Sequence, residues 1–152
     1  MTGVLPVALG DATKIAGALL LSGKEYVGLM QLHSAVSMSR IYAAFEEFTG
    51  EIYQRPPLRA SVKHEVRRRT IYSLEMLEAN GRYVLFKAAC EAGTYVRKIC
   101  HDIGEVLGVG AHMRELRRIR AGGFTEDKHL RTLYDLIEAY AAYENRQDEQ
   151  AI

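Results

Sequence analysis

Residues Ile71-Tyr72-Ser73-Leu74-Glu75-Met76-Leu77-Glu78-Ala79-Asn80-Gly81-Arg82-Tyr83-Val84-Leu85-Phe86-Lys87-Ala88-Ala89-Cys90-Glu91-Ala92-Gly93-Thr94-Tyr95-Val96-Arg97 decide the fold. Asn80-Gly81 lies between two runs rich in Tyr, Leu, Val and Phe. That arrangement predicts a hairpin whose type I′ turn needs positive φ at both positions. Gly93-Thr94-Tyr95-Val96-Arg97 then marks a hand-over from strand to helix: glycine permits a tight turn, Thr94 can cap, and Tyr95 and Arg97 project from the first turn. Val96, Ile99, Ile103 and Leu107 form the helical stripe that follows, stopped by Gly108 and Gly110.

Working outward, Asp11 is positioned to cap a helix from Ala12 to about Leu21, closed by Gly23. From Glu25 to His33 the chain alternates, with Tyr26, Gly28, Met30 and Leu32 on one side, which predicts a strand. Ser37 or Ser39 caps a second helix carrying Ile41, Ala44, Phe45 and Phe48 on one face and ending near Gly50. Gln54-Arg55-Pro56-Pro57 forces an extended passage, because proline fixes its own φ and restricts its predecessor. A last helix covers about Leu130 to Tyr143, with a fraying polar end beyond it. Strands and helices mingle without a regular strand-helix-strand rhythm, so the fold class is α+β: a mixed, mostly antiparallel sheet with flanking helices. Residues 1–125 read as the main body, and residues 126–152 as a C-terminal helix and acidic tail.

The length of 152 residues fits one domain with a real core. Cys90 and Cys100 are too few for a disulfide framework and sit in apolar segments, as reduced core thiols do. No apolar run reaches the roughly 18 residues needed to span a bilayer, and the start lacks the pattern of a secretory signal. The expected location is cytoplasmic, with no membrane partner. The net charge of +1 conceals an asymmetry. Arg55, Arg59, Lys63, Arg67, Arg68 and Arg69 face one acid, Glu65, in a short segment, and Arg114, Arg117, Arg118 and Arg120 face only Glu115. The tail from Glu126 onward is acidic. Two compact basic segments favour a polyanion such as RNA over a merely solvated surface.

Several familiar chemistries lack their residues. His101-Asp102 could begin a metal-dependent hydrolase site, but such a site needs a further His and Asp on helices. His33 falls on a predicted strand and His64 in the Pro-bounded passage. No histidine or cysteine spacing suits zinc, so no metal is expected. No glycine-rich loop has nucleotide-binding spacing, so no cofactor is expected either. An arginine placed like Arg97 can hold a carboxylate through a bidentate bond. The plainer reading makes Tyr95 a core residue and Arg97 a surface cap. Read from the residues alone, Tyr26 is more often a core aromatic, and Leu116 is core or near-core by default. Arg117 and Arg118 stand in too dense a run of charge for a buried face.

Taken together these residues resemble the pseudouridine synthase family, in the branch holding bacterial tRNA pseudouridine synthase B and the archaeal and eukaryotic dyskerin-like enzymes. The blocks that carry the resemblance stand in the family's order: Thr2-Gly3-Val4-Leu5-Pro6-Val7, Lys24-Glu25-Tyr26, Pro56-Pro57, Lys63, Gly93 to Arg97, and Gly110 to Arg118. The wording of Leu19 to Tyr26 and of the last block is closer to the archaeal, dyskerin-like branch. The resemblance implies isomerisation of uridine in tRNA or rRNA, without metal or cofactor, on a base flipped out of the RNA. It implies that Tyr26 stacks on the base and can exchange a proton with it, and that Tyr95 and Leu116 line the uracil pocket. Arg97 would hold the nucleophilic aspartate, and Arg55, Arg59, Lys63, Arg67, Arg68, Arg69, Arg117 and Arg118 would contact RNA. Guide RNA and ribonucleoprotein subunits are implied as partners. In the family an Asp-Pro pair carrying the nucleophile precedes the block that opens at Thr2. The expectation is therefore a chain truncated at its N-terminus, lacking also a C-terminal RNA-binding domain, and inactive alone. The alternative is a non-catalytic RNA- or ribonucleoprotein-binding module that keeps the cleft.

Overall fold

The computed structural model describes residues 1–56 and 65–146. Pro57, Arg59, Lys63, His64 and the polar C-terminal end lie outside the described residues. The elements are β1 (Thr2–Gly3), a 3-10 turn (Gly10–Ile15), α1 (Ala16–Leu21), β2 (Lys24–Leu32), α2 (Met38–Glu47), β3 (Gly50–Gln54), β4 (Arg67–Asn80) and β5 (Tyr83–Cys90). There follow α3 (Val96–Val106), β6 (Ala111–Ala121), β7 (Phe124–Thr125), α4 (Glu126–His129) and α5 (Leu133–Arg146).

The strands form one sheet in the order β1-β6-β2-β5-β4-β3, with β7 added to β6. Every pairing is antiparallel except that of β1 with β6. The fold is thus α+β with a mixed, mostly antiparallel sheet, as expected. β2 is central, and its alternation puts Tyr26, Met30 and Leu32 into the core. There they meet Ile41 and Phe45 of α2, Ile99 and Ile103 of α3, and Val84 and Phe86 of β5. Phe45 and Phe86 meet edge to face with centroids 6.2 Å apart, a favoured aromatic geometry.

Local differences from the sequence reading have physical causes. Asp11 does not cap a helix: it lies within the 3-10 turn and pairs with Lys14 at 2.8 Å. The hairpin turn is shifted by one residue, for Asn80 pairs with Tyr83, leaving Gly81 and Arg82 as the loop with Gly81 at φ +59°. The last helix is one element but starts and ends about three residues later than expected, at Leu133–Arg146, and a short separate helix, Glu126–His129, precedes it. Thr132 and Asp135 cap each other's backbone at the start of α5, where Asp135 accepts from the Thr132 amide at 2.6 Å and Thr132 Oγ1 accepts from the Asp135 amide at 3.2 Å. β1, β3, β6 and β7 are strands that the sequence reading did not identify.

Both cysteines are free and buried. Burial pushes the Cys90 thiol from 9.0 up to about 11, and the Cys100 thiol up to about 12. The folded chain therefore holds these protons more tightly than the unfolded chain does. Their stabilising contribution is complete below pH 9 and is lost as pH rises from there through about 11 and 12. The urea midpoint should fall between about pH 8 and about pH 10.5, with a shallower fall in Cys100→Ala. Equal slopes in the two proteins would refute the assignment.

Candidate functional site

A cleft of about 1000 Å³ opens where the start of α3 meets the middle of β2 and β6. Tyr26, Gly28 and Leu29 of β2, Leu85 of β5, Thr94 to Arg97, and Met113 to Arg117 line it, with Met1 and Thr2 at one side. The structure thus brings Tyr26, Tyr95, Arg97 and Leu116 to one cavity from three separate stretches of sequence.

Gly28 shapes the floor. It pairs with Phe86 on one side and Leu116 on the other. A Cβ there would lie 2.5 Å from the Phe86 ring and 3.2 Å from Leu116 Cδ1. The missing side chain lets both apolar groups close beneath the cleft.

Tyr26 is buried at the cleft's inner wall. Burial pushes its hydroxyl above the ordinary tyrosine value and Cys90 adds to the push, while the hydrogen bond and charge of Arg118 oppose it. The phenol therefore keeps its proton at neutral pH. Lys24 and Glu25, its neighbours in sequence, serve the frame. Lys24 Nζ donates to the carbonyls of Leu20 at 2.7 Å and Ser22 at 2.6 Å, closing the C-terminus of α1. Glu25 accepts from Arg120 at 2.7 Å and sits 3.4 Å from Lys87. Burial alone would raise its carboxyl, but these two cations hold it below the usual range.

Tyr95, not Thr94, is the N-cap residue of α3, at φ −96° and ψ 94°. Thr94 instead turns its hydroxyl back to the Glu91 carbonyl at 2.7 Å. Gly93, at φ +80°, makes the turn and lies against the Arg69 guanidinium. Arg97 projects from the first turn of α3 and is exposed. Among the described residues it has no hydrogen-bond or ion-pair partner. Glu115 is the acid on the lining, at the exposed rim. Asp102 pairs with Lys98 and His101 further along the helix and does not line the cleft.

The basic residues divide. Arg118 Nε donates to the Val4 carbonyl at 2.7 Å and fixes the strand start, while Arg117 pairs with Glu126 at 2.8 Å. Arg68 pairs with Glu51 at 3.1 Å, and Arg69 lies 3.4 Å from Glu91. Arg55 is exposed and Arg67 half-buried. Arg59 and Lys63 lie outside the described residues. No group of three or more His, Cys, Asp or Glu suited to a metal occurs among the described residues, and none of their helices is long and apolar enough to cross a membrane.

The sequence reading missed Gln54. It is buried at 2% exposure, and its carboxamide bonds the backbone of Tyr95. Its place just before Arg55-Pro56-Pro57 suggested only an extended passage.

Gly28 and Arg97 should separate structure from chemistry. Gly28→Ala should cost about 1–3 kcal/mol by overpacking, whereas Arg97→Ala should stay within about 0.5 kcal/mol of the parent. Urea unfolding of both variants checks this, and a large loss in Arg97→Ala would mean that Arg97 supports the fold.

Comparison with known proteins identifies the family. Residues 34–96 match the family model described as TruB family pseudouridylate synthase (N terminal domain), and residues 97–152 match the tRNA pseudouridylate synthase B C-terminal domain. A probable tRNA pseudouridine synthase B of Methanosarcina barkeri is 55% identical over all of this chain and 45% of its own length. One from Thermococcus onnurineus is 56% identical over 92% of this chain and 42% of its own length. The chain therefore spans less than half the length of these relatives. Among solved structures, a chain of a Cbf5-Nop10-Gar1 complex superposes with a TM-score of 0.91 at 53% identity, over 98% of this chain and 45% of that one. A chain of an H/ACA RNP bound to a substrate RNA containing 2'-deoxyuridine gives 0.85 at 49% identity, over 98% and 44%. The chain belongs to the pseudouridine synthase family, in the branch of tRNA pseudouridine synthase B and its dyskerin-like relatives.

Proposed function

We propose that this chain is the main part of the catalytic domain of an RNA pseudouridine synthase, and that its cleft takes a uridine flipped out of tRNA or rRNA. The carrying observation is Arg97: an arginine without a described partner, beside an apolar floor, in a cavity it shares with Tyr26, Tyr95 and Leu116. In the reaction the uracil N1–C1′ bond breaks, a bond from C5 to C1′ forms, and the C5 proton is replaced by one at N1. Atoms and charge balance without a metal or cofactor. A nucleophilic carboxylate is needed to trap the cleaved species, and Arg97 is suited to hold it ionised through a bidentate bond. Tyr26 would stack on the base, offsetting part of the few kcal/mol that flipping costs. Tyr95 and Leu116 would close on its edges.

No aspartate lines the described cleft, so this chain by itself is expected not to turn over. The same observation favours, as a second reading, a module that binds RNA without chemistry. The titles of the similar structures, a Cbf5-Nop10-Gar1 complex and an H/ACA RNP bound to a substrate RNA, support work within an RNA–protein assembly, and the relatives' names support tRNA as a substrate.

The test is release of the C5 hydrogen from a labelled tRNA transcript by the full-length enzyme carrying this domain. Arg97→Lys should cut turnover strongly while RNA affinity stays nearly unchanged. Full turnover in that variant would remove Arg97 from the chemistry, and no turnover in the parent enzyme would leave the binding-module reading in its place.

RNA binding should also depend on salt. Replacing Arg55, Arg67 and Arg68 together by alanine should reduce the slope of log K against log salt by up to about 2–3, as loss of three phosphate contacts requires. An unchanged slope would place those side chains away from RNA.

A further inference from the structure

Gln54 ends β3, an edge strand of the sheet, and among the described residues it is the buried polar side chain beside an otherwise apolar core. Both of its side-chain bonds go to one residue 41 positions away. Its Oε1 accepts from the Tyr95 amide at 2.9 Å, and its Nε2 donates to the Tyr95 carbonyl at 3.2 Å. The two bonds form an amide pair, and reversing the carboxamide would set donor against donor and lose both.

Tyr95 is where that clamp has most effect. It is the N-cap residue of α3, and α3 has no local side-chain cap. Its carbonyl also accepts from Lys98 N at 2.9 Å and Ile99 N at 3.2 Å, so the first helical turn hangs from it. The turn before it is anchored at its other end, where Glu91 accepts from the Thr70 amide of β4 at 3.0 Å. Between the anchors stands Gly93 in the left-handed region. Gln54 is thus the anchor nearest the cleft. Two residues beyond Tyr95, Arg97 has no described partner to orient its side chain, so only the backbone of this turn sets where its guanidinium starts.

We propose that Gln54 is a positioning residue of the catalytic cleft: by pairing its carboxamide with the backbone of Tyr95, it fixes the first turn of α3 and so the placement of Tyr95 and Arg97 against the flipped base. This rests on the reading of the cleft as the catalytic site. A buried amide spent on one backbone unit preorganises the turn before substrate arrives.

The test uses two variants of the full-length enzyme and a tRNA transcript, with amide exchange followed in this chain. Gln54→Met keeps the volume and removes both bonds. It should speed exchange at the Tyr95 amide, leave core amides of β2 and β5 unchanged, and lower kcat by up to on the order of 10²-fold with KM nearly constant. Gln54→Glu gives a readout that a purely structural role would not. Protonated, the introduced carboxyl can accept from the Tyr95 amide and donate to its carbonyl, as the carboxamide does; ionised, it can only accept. The kcat of Gln54→Glu should therefore recover as pH falls through the titration of that carboxyl, a step absent from the parent profile. Should Gln54→Met fail to fold, this profile alone decides. Parent-like kcat in a folded Gln54→Met, or a Gln54→Glu profile parallel to the parent's, overturns the proposal. Arg97→Lys, run alongside, separates the two readings: if it retains full turnover, the catalytic role of Arg97 falls regardless of Gln54.

Discussion

A helix can bring its backbone into direct contact with the strand that follows it only at a point where no side chain projects between the two. Here Gly104 of α3 meets the backbone of Gly110 and Ala111 so closely that a Cβ would collide with the Ala111 amide nitrogen. The chain leaves the helix through Gly108 and Gly110, both at positive φ, and the Gly110 amide returns to the Gly104 carbonyl at 2.9 Å. Once α3 is seated this way, its N-terminus is carried over β2 and the cleft follows. A helix displaced by one methyl group would lift Tyr95 and Arg97 away from Tyr26. The apolar stripe of Val96, Ile99 and Ile103 supplies the attraction, but the glycine sets the distance.

The same contrast between attraction and placement applies to the charges. A count of basic residues suggests two cationic patches, yet much of that charge is tied down inside the molecule. Arg118 holds Val4 and the Tyr26 hydroxyl, Arg120 holds Glu25, and Arg117 holds Glu126. These arginines line up on β6 because a strand sends alternate residues to opposite faces, so one run of arginines serves the cleft wall and the open sheet face at once. Exposed pairs such as Arg68 with Glu51 contribute little to stability and can exchange partners with a phosphate at small cost. Partly buried ones such as Arg120 with Glu25 are less free to do so.

How much of this was legible in the sequence depends on whether the signal was local. The alternation of β2, the apolar stripe of α3 and the Asn80-Gly81 turn are local patterns, and each was read correctly in kind, the turn with a one-residue offset. β6 was not, because four arginines and a glutamate within Ala111–Ala121 hide the apolar alternation of Ala111, Met113 and Leu116. β1 was not, because a two-residue parallel strand acquires meaning only from Arg117 and Arg118 across the sheet. Tyr26, Tyr95, Arg97 and Leu116 were picked out by resemblance, and the fold places them around one cavity. Gln54 carries no local signal at all, since its partner stands far along the chain and is a backbone unit that any residue could supply.

The cleft is accordingly built from parts of unequal freedom. Gly28, Phe86 and Leu116 are fixed by packing, Tyr26 by burial and Arg118, and the Tyr95 backbone by Gln54. Arg97 alone among the proposed catalytic residues has its head group in water. An exposed guanidinium costs almost nothing while hydrated, but the same group beside an apolar floor gains strongly once a carboxylate and a base displace that water, because the local dielectric falls. Holding the backbone rigid while leaving the charge unpaired places the cost of desolvation at the moment of binding, where contact with the correct substrate can offset it. An arginine already paired within the domain would have to surrender that partner first.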